Sequence, residues 1–477
     1  MKKLLKTLAI LLSVAMLFAM VGCGETKTKT TDANADDDEY FTESVETVDT
    51  SDDTSTGAKG KSDSSSSAKS SGGSIKTGGK KWKDVLSSMP SDLSNTTIEI
   101  YNWNPANEYT GAPKVIQEFT KQTGIKVKWT TENFDNYLSK LTSRVAAGNS
   151  PDLVRLRNPM PTSLTSIQPI DAMNFDFSDS AWDKWVMDSY TFNGKKFGVS
   201  LSGTHISSPI MLSYNKSLIR KYDLSDPYQL WKSNKWTWDA MINLCQEYKK
   251  SAGSDYAITG STSELAMVSI PGTVKYNGSK FVSTMNDANM LTALQKYCDL
   301  SNNKKIYAPT YNTEGFDSGK LLMFICSGIH IRRMNSYFQN LKSSNSLGTV
   351  PVPPLSGTSV TTMFGELEAY GLAKGAKNPK AAPYFLRFFL DSANYDVDAF
   401  FANSQAKEVY EYLMSNGSKV WNTGEADHEK FTKITDPGIG KAIQNATSEQ
   451  AKSVIDQIKP LVDSRVKNLN DILAKLK

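Results

Sequence analysis

Between Thr97 and Asn158 the hydrophobic residues change repeatedly from the spacing of strands to the spacing of helices. Apolar residues with alternating or continuous spacing, as in strands, occupy three short stretches: 98–100, 125–129 and 153–154. Between them, apolar residues fall on one face of a helix in two stretches: Val115, Ile116 and Phe119, then Leu138, Leu141 and Val145. Gly124 and Gly148 predict where these helices end. This β-α-β-α-β order with short connections predicts a parallel sheet covered by helices.

Polar residues follow the predicted strands at their carboxyl ends. Ligands of such parallel sheets bind beyond these ends, so we expect a binding crevice at 102–108 and 155–158. Its candidate contacts are Trp103, Asn104, Asn107 and Glu108 after the first strand, and Arg157 and Asn158 after the third. A place in the core fits Trp103 equally well, and turn or capping roles fit the loop residues. For the last two residues the alternative is a solvated surface.

Several motifs resemble those of a known family. The stretch FTKQTGIKVKW, followed by YLSKLTSRVAAGNSPDLV, is similar to the amino-terminal half of the family 1 extracellular solute-binding proteins, the maltose-binding-protein-like group. That family has an F-x-K-x-(T/N)-G-I-x-V strand entry and an A-A-x-G-x-x-P-D turn at about this separation. The later segments YNK (214–216), TWD (237–239) and NPKAA (378–382) resemble further motifs of the family, in the same order. The resemblance covers roughly residues 96 to 390.

The resemblance implies an α/β fold of two lobes, of the periplasmic-binding-protein-like type II class, with a hinged cleft between them. The chain is expected to cross between the lobes near 200–210, 350–356 and 390–400. Lobe I would comprise 96–206 and 356–395, and lobe II would comprise 207–350 and 400–477. The resemblance also implies that the closed form delivers its cargo to a permease of the ATP-binding-cassette (ABC) type. By family analogy the cargo is a carbohydrate, and we expect an oligosaccharide.

Further candidates for ligand contact depend on this resemblance. His330 stands where the family motif F-x-x-G-K-x-A-M-x-x-x-G-x-W has its tryptophan, Arg332 follows it, and His205 lies on the first crossing. Glu366, Glu368 and Tyr370 alternate in a strand that returns to lobe I, so they share a face. Of these, we select Glu366 and Tyr370 as ligand contacts. A hinge or surface role for His205, and a solvated edge for the acids, remain open.

The amino terminus has the pattern of an export signal. Residues 1–22 carry three lysines, an apolar run and small residues before Cys23, as secretory signals do. The cysteine directly after Gly22 makes the segment resemble a bacterial lipoprotein signal, in which Cys23 is lipidated; a plain signal peptide is the alternative. The rest of the segment 23–80 consists mainly of Thr, Asp, Ser, Gly and Lys, which predicts a disordered linker. It would be a leash on the outer face of the membrane, as suits a thick-walled Gram-positive cell, or a tail without a spacing role.

Charge and cysteine content limit the possible partners. The full chain has a net charge of +4, and removal of residues 1–22 takes away three lysines and no acids, which leaves +1. Such a nearly neutral chain gives no support for a nucleic acid partner. Cys245, Cys298 and Cys326 form no CxxC motif, so they indicate neither a zinc site nor a disulfide framework. We expect small buried thiols, with one possible pair left open, and neither a metal nor a cofactor.

Motifs of enzymes are missing from the sequence. It contains no G-x-S-x-G, H-E-x-x-H, P-loop or dinucleotide fingerprint, and the histidines at 205, 330 and 428 are not spaced as a metal pair. We therefore favour a monomeric binding protein for a small carbohydrate. One alternative is a lipid-anchored hydrolase of glycans, because the separation of two catalytic carboxylates cannot be read from sequence. Another is a sugar-sensing subunit of a signalling system.

Overall fold

A computed structural model of the protein describes residues 79–106, 112–133, 136–157, 161–201, 207–260, 273–308, 312–326, 338–391, 401–417, 419–421 and 446–476. The predicted signal, Cys23 and nearly all of the predicted linker lie outside these ranges.

Helices and strands alternate along most of the described chain. The helices are α1 (Trp82–Ser87), α2 (Ala112–Thr123), α3 (Tyr137–Ala146), α4 (Lys184–Ser189), α5 (Lys216–Lys221), α6 (Pro227–Lys232), α7 (Trp238–Ala252), α8 (Ala288–Cys298), α9 (Thr313–Asp317), α10 (Gln339–Ser343), α11 (Ala382–Asp391), α12 (Ser404–Ser415) and α13 (Ala451–Ala474). The strands are β1 (Thr97–Asn102), β2 (Lys126–Thr131), β3 (Leu153–Arg157), β4 (Ile167–Gln168), β5 (Thr191–Phe192), β6 (Lys195–Lys196), β7 (Ser207–Pro209), β8 (Met211–Asn215), β9 (Ile258–Gly260), β10 (Val274–Tyr276), β11 (Phe281–Ser283), β12 (Met323–Cys326), β13 (Leu347–Pro351), β14 (Thr362–Ala373) and β15 (Lys419–Trp421).

Lobe I is built on a sheet with the strand order β15-β14-β3-β1-β2. Strand β1 pairs in parallel with both β2 and β3, so Ile100 lies opposite Trp129 on one side and Leu153 on the other. Strand β14 runs antiparallel to β3 and returns the chain to this lobe. The predicted β-α-β-α-β unit is confirmed, and the carboxyl ends of β1 and β3 lie at the same edge of the sheet.

Helices cover both faces of this sheet. Ile98 and Ile100 are fully buried on the face where Phe119 of α2 packs against Phe385 of α11, with ring centroids 5.3 Å apart. The opposite face is covered by α3, whose Leu141 is fully buried. Burial of each such side chain contributes about 1.5–3 kcal/mol, so periodic apolar residues decide the layers.

Lobe II is built on a second sheet with the order β13-β8-β12-β9. Strand β12 pairs antiparallel with β8 and parallel with β9, and all of β8 is buried. Helix α7 begins where the sequence predicts, because the Thr237 side chain accepts a hydrogen bond from the backbone N–H of Ala240 at 3.1 Å. Trp238, the first residue of this helix, is buried in the hydrophobic core.

Two crossings connect the lobes in the described chain. Strand β7 pairs with β14 in lobe I, whereas β8, which starts two residues later, pairs with β12 in lobe II. The chain returns between the end of β13 and the start of β14. Strand β15 pairs with the beginning of β14, so residues 419–421 join the sheet of lobe I, whereas we expected 400–477 in lobe II. Most of the expected crossing at 390–400 lies outside the described residues.

The last helix, α13, connects hairpins of the two predicted lobes. The β5–β6 hairpin has Asn193 and Gly194 at its tip, both with positive φ, the conformation that favours Asn-Gly at such turns. The Asn193 side-chain amide donates to the Leu473 carbonyl at 3.0 Å, which satisfies one carbonyl at the end of α13. The Asn470 side chain in turn bonds both the N–H and the carbonyl of Phe281 in β11, at 2.8 and 3.0 Å.

The structure describes the side chains of two of the three cysteines that we expected to be buried. Cys245 and Cys298 are buried free thiols. Burial raises the pKa of Cys298 to about 11, so its thiol stays protonated at neutral pH. Cys326 lies in β12, where only its backbone is described.

Candidate ligand-binding site

The shared carboxyl edge of β1 and β3 is occupied by a buried ion pair between Arg155 and Glu368. Arg155 belongs to β3 and Glu368 to β14, and Glu368 lies opposite Arg157 in the antiparallel register, so the paired residues are diagonal neighbours. A guanidinium nitrogen of Arg155 donates to a carboxylate oxygen of Glu368. The two side chains are only 3% and 4% exposed. Such a pair is stable only when further contacts compensate the loss of hydration.

Arg155 also contacts the last residue of β1 and the residue that follows it. Its Nη1 donates to Oδ1 of Asn102 at 3.3 Å. Its guanidinium also lies 4.2 Å from the centroid of the Trp103 ring, a cation–π contact. A carboxylate, an amide oxygen and an aromatic face therefore surround the buried charge.

The chain after β1 forms a tight turn that is held from two sides. The backbone N–H of Asn104 donates to Oδ1 of Asn102 at 2.9 Å. The indole N–H of Trp129, on β2, donates to the backbone carbonyl of Asn104 at 3.0 Å. Oδ1 of Asn104 itself is shielded from solvent and accepts no hydrogen bond. This amide oxygen thus has unused hydrogen-bonding capacity, and a partner reaches it only when the groups that cover it move.

Tyrosines support this turn from the side of α3. The Tyr137 ring stacks on Tyr101 with centroids 4.6 Å apart and meets Trp103 edge-on at 5.1 Å. Its hydroxyl lies 2.9 Å from the backbone carbonyls of both Tyr101 and Arg155, so it connects β1 to β3. These contacts fix the ends of the two strands relative to each other.

A third tyrosine, Tyr190, lies close to the ion pair. The hydroxyl of Tyr190 donates to the backbone carbonyl of Leu367 at 2.5 Å. Burial raises the pKa of Tyr190 well above its ordinary value, and the nearby negative charge of Glu368 raises it further. Tyr190 therefore remains a neutral donor over the physiological pH range and holds the strand that carries Glu368.

Two kinds of polar group lie at this edge of the sheet. The Arg–Glu pair compensates its own charges, and the turn offers an amide oxygen. In the described ranges, no cluster of three or more His, Cys, Asp or Glu side chains is arranged to hold a metal ion.

Residues 114–397 match the model of a family described as bacterial extracellular solute-binding protein. The matched span is more than half of the chain. The chain belongs to this family.

Solved structures show that this solute-binding protein has the two-lobed α/β fold of sugar-binding relatives. The galacto-N-biose-/lacto-N-biose I-binding protein from Bifidobacterium longum is 16% identical, with a TM-score of 0.59 over 79% of this chain and 97% of that one. The sugar-binding protein MalE from Xanthomonas citri is 16% identical, with a TM-score of 0.57 over 80% and 98%. The ABC substrate-binding protein Lmo0181 from Listeria monocytogenes is 18% identical, with a TM-score of 0.55 over 80% and 98%. A comparison with curated proteins gives no match. The expected family and fold class are thus confirmed.

Three of the predicted ligand contacts of this solute-binding protein can be placed in full. Trp103 is 9% exposed, with one face covered by Arg155 and its ring against Tyr137, so little of it is available for stacking on a sugar. Asn104 lies in the turn at the expected edge. Tyr370 is 2% exposed and belongs to the core of lobe I. Glu368, named with Tyr370 as part of one face, is paired with Arg155 and is not at a solvated edge.

The remaining predicted contacts stay predictions. Those outside the described residues are Asn107, Glu108, Asn158, His205, His330 and Arg332. Arg157 and Glu366 lie in β3 and β14, where the structure describes their backbones, opposite Glu368 and Ser208 respectively.

The predicted crevice at 102–108 and 155–158 includes Asn102 and Arg155, but sequence reasoning named neither of them as a candidate. Arg155 interrupts the apolar stretch from Leu153 to Leu156 in a strand that is buried on both faces. A charged residue in such a strand must be paired, so this interruption is the signal that could have identified it. Asn102 gives no comparable signal, because its role depends on the side-chain oxygen that it presents to Arg155 and to the turn.

Proposed function

We propose that this solute-binding protein captures an oligosaccharide between its two lobes and delivers it to an ABC permease. One observation supports the cargo above all. Structures with this fold were solved with saccharide ligands, among them cycloalternan, lacto-N-biose and maltotetraose. The family match supports the extracellular binding role.

The edge of lobe I supports a neutral, hydroxylated cargo. Arg155 and Glu368 compensate each other, so this edge favours no ionic ligand. Oδ1 of Asn104 can accept a hydrogen bond from a hydroxyl group. We propose that the predicted contacts Asn107, Glu108, Arg157 and Asn158 complete this edge. His205, His330, Arg332 and Glu366 would contact the ligand from the crossing, from lobe II and from β14.

Binding would close the cleft because the ligand contacts both lobes only in the closed state. A ligand shifts such an equilibrium only by its difference in affinity for the two states. In this proposal the protein performs no chemistry, so the ligand leaves unchanged.

The protein would act on the outer face of the cell membrane as a monomer, held by a lipid on Cys23. The sequence of the signal supports this anchor. None of the helices in the described ranges combines the length and the apolar character that crossing a bilayer requires. Fractionation of cells tests the anchor, since replacement of Cys23 by Ala should move the protein from the membrane fraction to the medium.

Isothermal titration calorimetry tests the cargo. The panel consists of maltose, maltotetraose, mannobiose, lacto-N-biose and cycloalternan, with a peptide mixture and spermidine as controls. We expect heat of binding with at least one saccharide and none with the controls. Binding of peptides or spermidine with no saccharide response would overturn the proposal. Mass spectrometry of the saccharide after incubation should return it intact, whereas shorter products would support the hydrolase alternative.

A further inference from the structure

We propose that Arg155 and Glu368 are positioning residues of the binding site, which set the affinity for the ligand by holding the turn Asn102–Asn104. This inference rests on the proposed function, because it assigns to the turn a contact with the saccharide. In it, Oδ1 of Asn104 is the ligand-binding atom, and the ion pair itself contacts no ligand.

The first step is the immobilisation of Arg155. Its guanidinium is held by Glu368 on the neighbouring strand and lies against the Trp103 ring at 4.2 Å. Both charged side chains are more than nine-tenths buried. Their backbones are fixed by the antiparallel register of β3 and β14. A planar guanidinium keeps one orientation when a carboxylate bonds its edge and an aromatic ring lies against its face.

The second step transfers this orientation to the turn through Asn102. One atom, Oδ1 of Asn102, accepts hydrogen bonds from Nη1 of Arg155 at 3.3 Å and from the backbone N–H of Asn104 at 2.9 Å. Asn102 is fully buried, so no solvent competes for that oxygen. The guanidinium therefore selects the side-chain orientation of Asn102 in which its oxygen reaches the turn.

The third step concerns what the turn leaves available. With its N–H bound to Asn102 and its carbonyl bound to Trp129, the backbone of Asn104 is fixed on both sides. Its Oδ1 is shielded from solvent and accepts no hydrogen bond. A ligand hydroxyl that displaces the groups covering this oxygen and donates to it replaces an unsatisfied group by a satisfied one, which is where a buried hydrogen bond contributes most. A turn ordered before binding also avoids the entropic cost of ordering it afterwards.

The test uses a double variant that removes both charges of the pair and a matched control pair in the same lobe. The rim variant combines Arg155→Met with Glu368→Gln. The control combines Arg144→Met with Glu99→Gln, because Arg144 bonds Glu99 and lies over the Tyr101 ring at 5.2 Å. In the described chain the Arg144 side chain donates to Asn149 and Glu99, and the Glu99 side chain also accepts from Thr130. These hydrogen bonds do not involve the turn Asn102–Asn104. A third variant, Asn102→Ala, breaks the connection and leaves the ion pair in place.

Three quantities are measured for each variant: the melting temperature, hydrogen exchange at the Asn104 amide without ligand, and the Kd for the panel saccharide that binds the wild type. We expect the rim variant and Asn102→Ala to exchange that amide at least about tenfold faster and to raise Kd about tenfold, equivalent to about 1.4 kcal/mol. The control should leave exchange at this amide and Kd within about twofold of the wild type, whatever its melting temperature.

Wild-type exchange and Kd in Asn102→Ala would overturn the proposal, and so would a control that weakens Kd as much as the rim variant. If the rim variant does not fold, Asn102→Ala decides alone. If the wild type binds no saccharide of the panel, the proposed function fails, while exchange at the Asn104 amide still decides whether Arg155 and Glu368 order the turn.

Discussion

Two arginine–glutamate pairs lie against β1. They consist of the same residue types and differ in how deeply they are buried. At the carboxyl edge of β1 and β3, here called the rim, Arg155 bonds Glu368 and lies 4.2 Å from the Trp103 ring centroid. Further back along β1, Arg144 bonds Glu99 and lies 5.2 Å from the Tyr101 ring centroid. The exposed fractions of the rim side chains are 3% and 4%, against 19% for Arg144 and 14% for Glu99.

This difference in burial separates two roles for the same residue types. A partly exposed pair needs little compensation and contributes little, about 1 kcal/mol or less. A buried pair loses most of its hydration, and apolar residues of similar volume would often be as stable. The rim pair is therefore poorly explained as a means of stabilising lobe I. Its contacts with Asn102 and Trp103, next to the expected binding edge, indicate a role in ordering that edge.

Removing one member of each pair should produce the largest contrast. Arg155→Met removes the guanidinium that bonds the buried Glu368 carboxylate, so we expect a loss of about 3–5 kcal/mol in the free energy of unfolding. Arg144→Met leaves Glu99 partly exposed and close to Lys128, at 3.4 Å, so we expect about 1 kcal/mol or less.

Urea unfolding monitored by circular dichroism measures both losses. Equal losses for Arg155→Met and Arg144→Met would show that burial does not separate the two pairs. The rim double variant with Glu368→Gln supplies the internal control, because it should recover most of the stability that Arg155→Met loses.

The contrast between the pairs also shows what the sequence could and could not predict. Local spacing predicted β1 and α2, since neighbouring apolar residues decide each buried face: Ile98 and Ile100 in β1, and Ile116 and Phe119 in α2. The Asn-Gly tip of the β5–β6 hairpin was equally local. The ion pair joins residues 213 positions apart, and only the pairing of β14 with β3 brings them together.

The candidate site was therefore found only in outline. Asn104 was placed correctly at the carboxyl edge, because the end of a parallel strand marks that edge in any such sheet. Trp103 and Tyr370 were expected at the ligand, yet both rings are buried, since aromatic residues at strand ends serve packing as well as stacking. No pattern of spacing distinguishes these two uses. The distinction depends on which side chains fold over the ring, here Arg155 and Tyr137.

A second, smaller contrast comes from two tryptophans that each donate one hydrogen bond. Trp129 donates to the partly buried backbone carbonyl of Asn104, whereas Trp82 donates to the exposed side-chain oxygen of Gln122 at 2.7 Å. Trp129→Phe leaves a carbonyl without its donor, so we expect a loss of about 1–3 kcal/mol in the free energy of unfolding. Trp82→Phe should cost less, because water replaces the indole at an exposed oxygen.

The same unfolding experiment measures this difference, and hydrogen exchange at residues 104–106 locates it. We expect faster exchange there in Trp129→Phe and unchanged exchange in Trp82→Phe. If exchange around Asn104 is the same in both variants, the indole of Trp129 is a packing group and does not order the turn.

The smallest expected effect is the pH dependence that Glu99 gives to lobe I. Burial alone raises the pKa of Glu99, but hydrogen bonds from Thr130 and Arg144, with the charges of Arg144 and Lys128, lower it below its ordinary 4.5. Because the pKa in the folded protein is below that of the unfolded chain, the carboxylate stabilises the fold above about pH 4.5. This contribution is lost as the pH falls through the lowered pKa.

Glu99→Gln removes that contribution at every pH, so its loss of stability relative to the wild type should be present at pH 7 and shrink toward pH 3. Thermal unfolding from pH 7 to pH 3 measures it, with Glu118→Gln as the control, since Glu118 is exposed and lies 4.0 Å from Lys121. A difference in stability between Glu99→Gln and the wild type that stays constant with pH would mean that the Arg144–Glu99 pair acts through packing alone. The partial exposure of the Arg144–Glu99 pair would then not explain how it differs from the Arg155–Glu368 pair. The difference between the two pairs would instead lie in the contacts of Arg155 with the turn Asn102–Asn104.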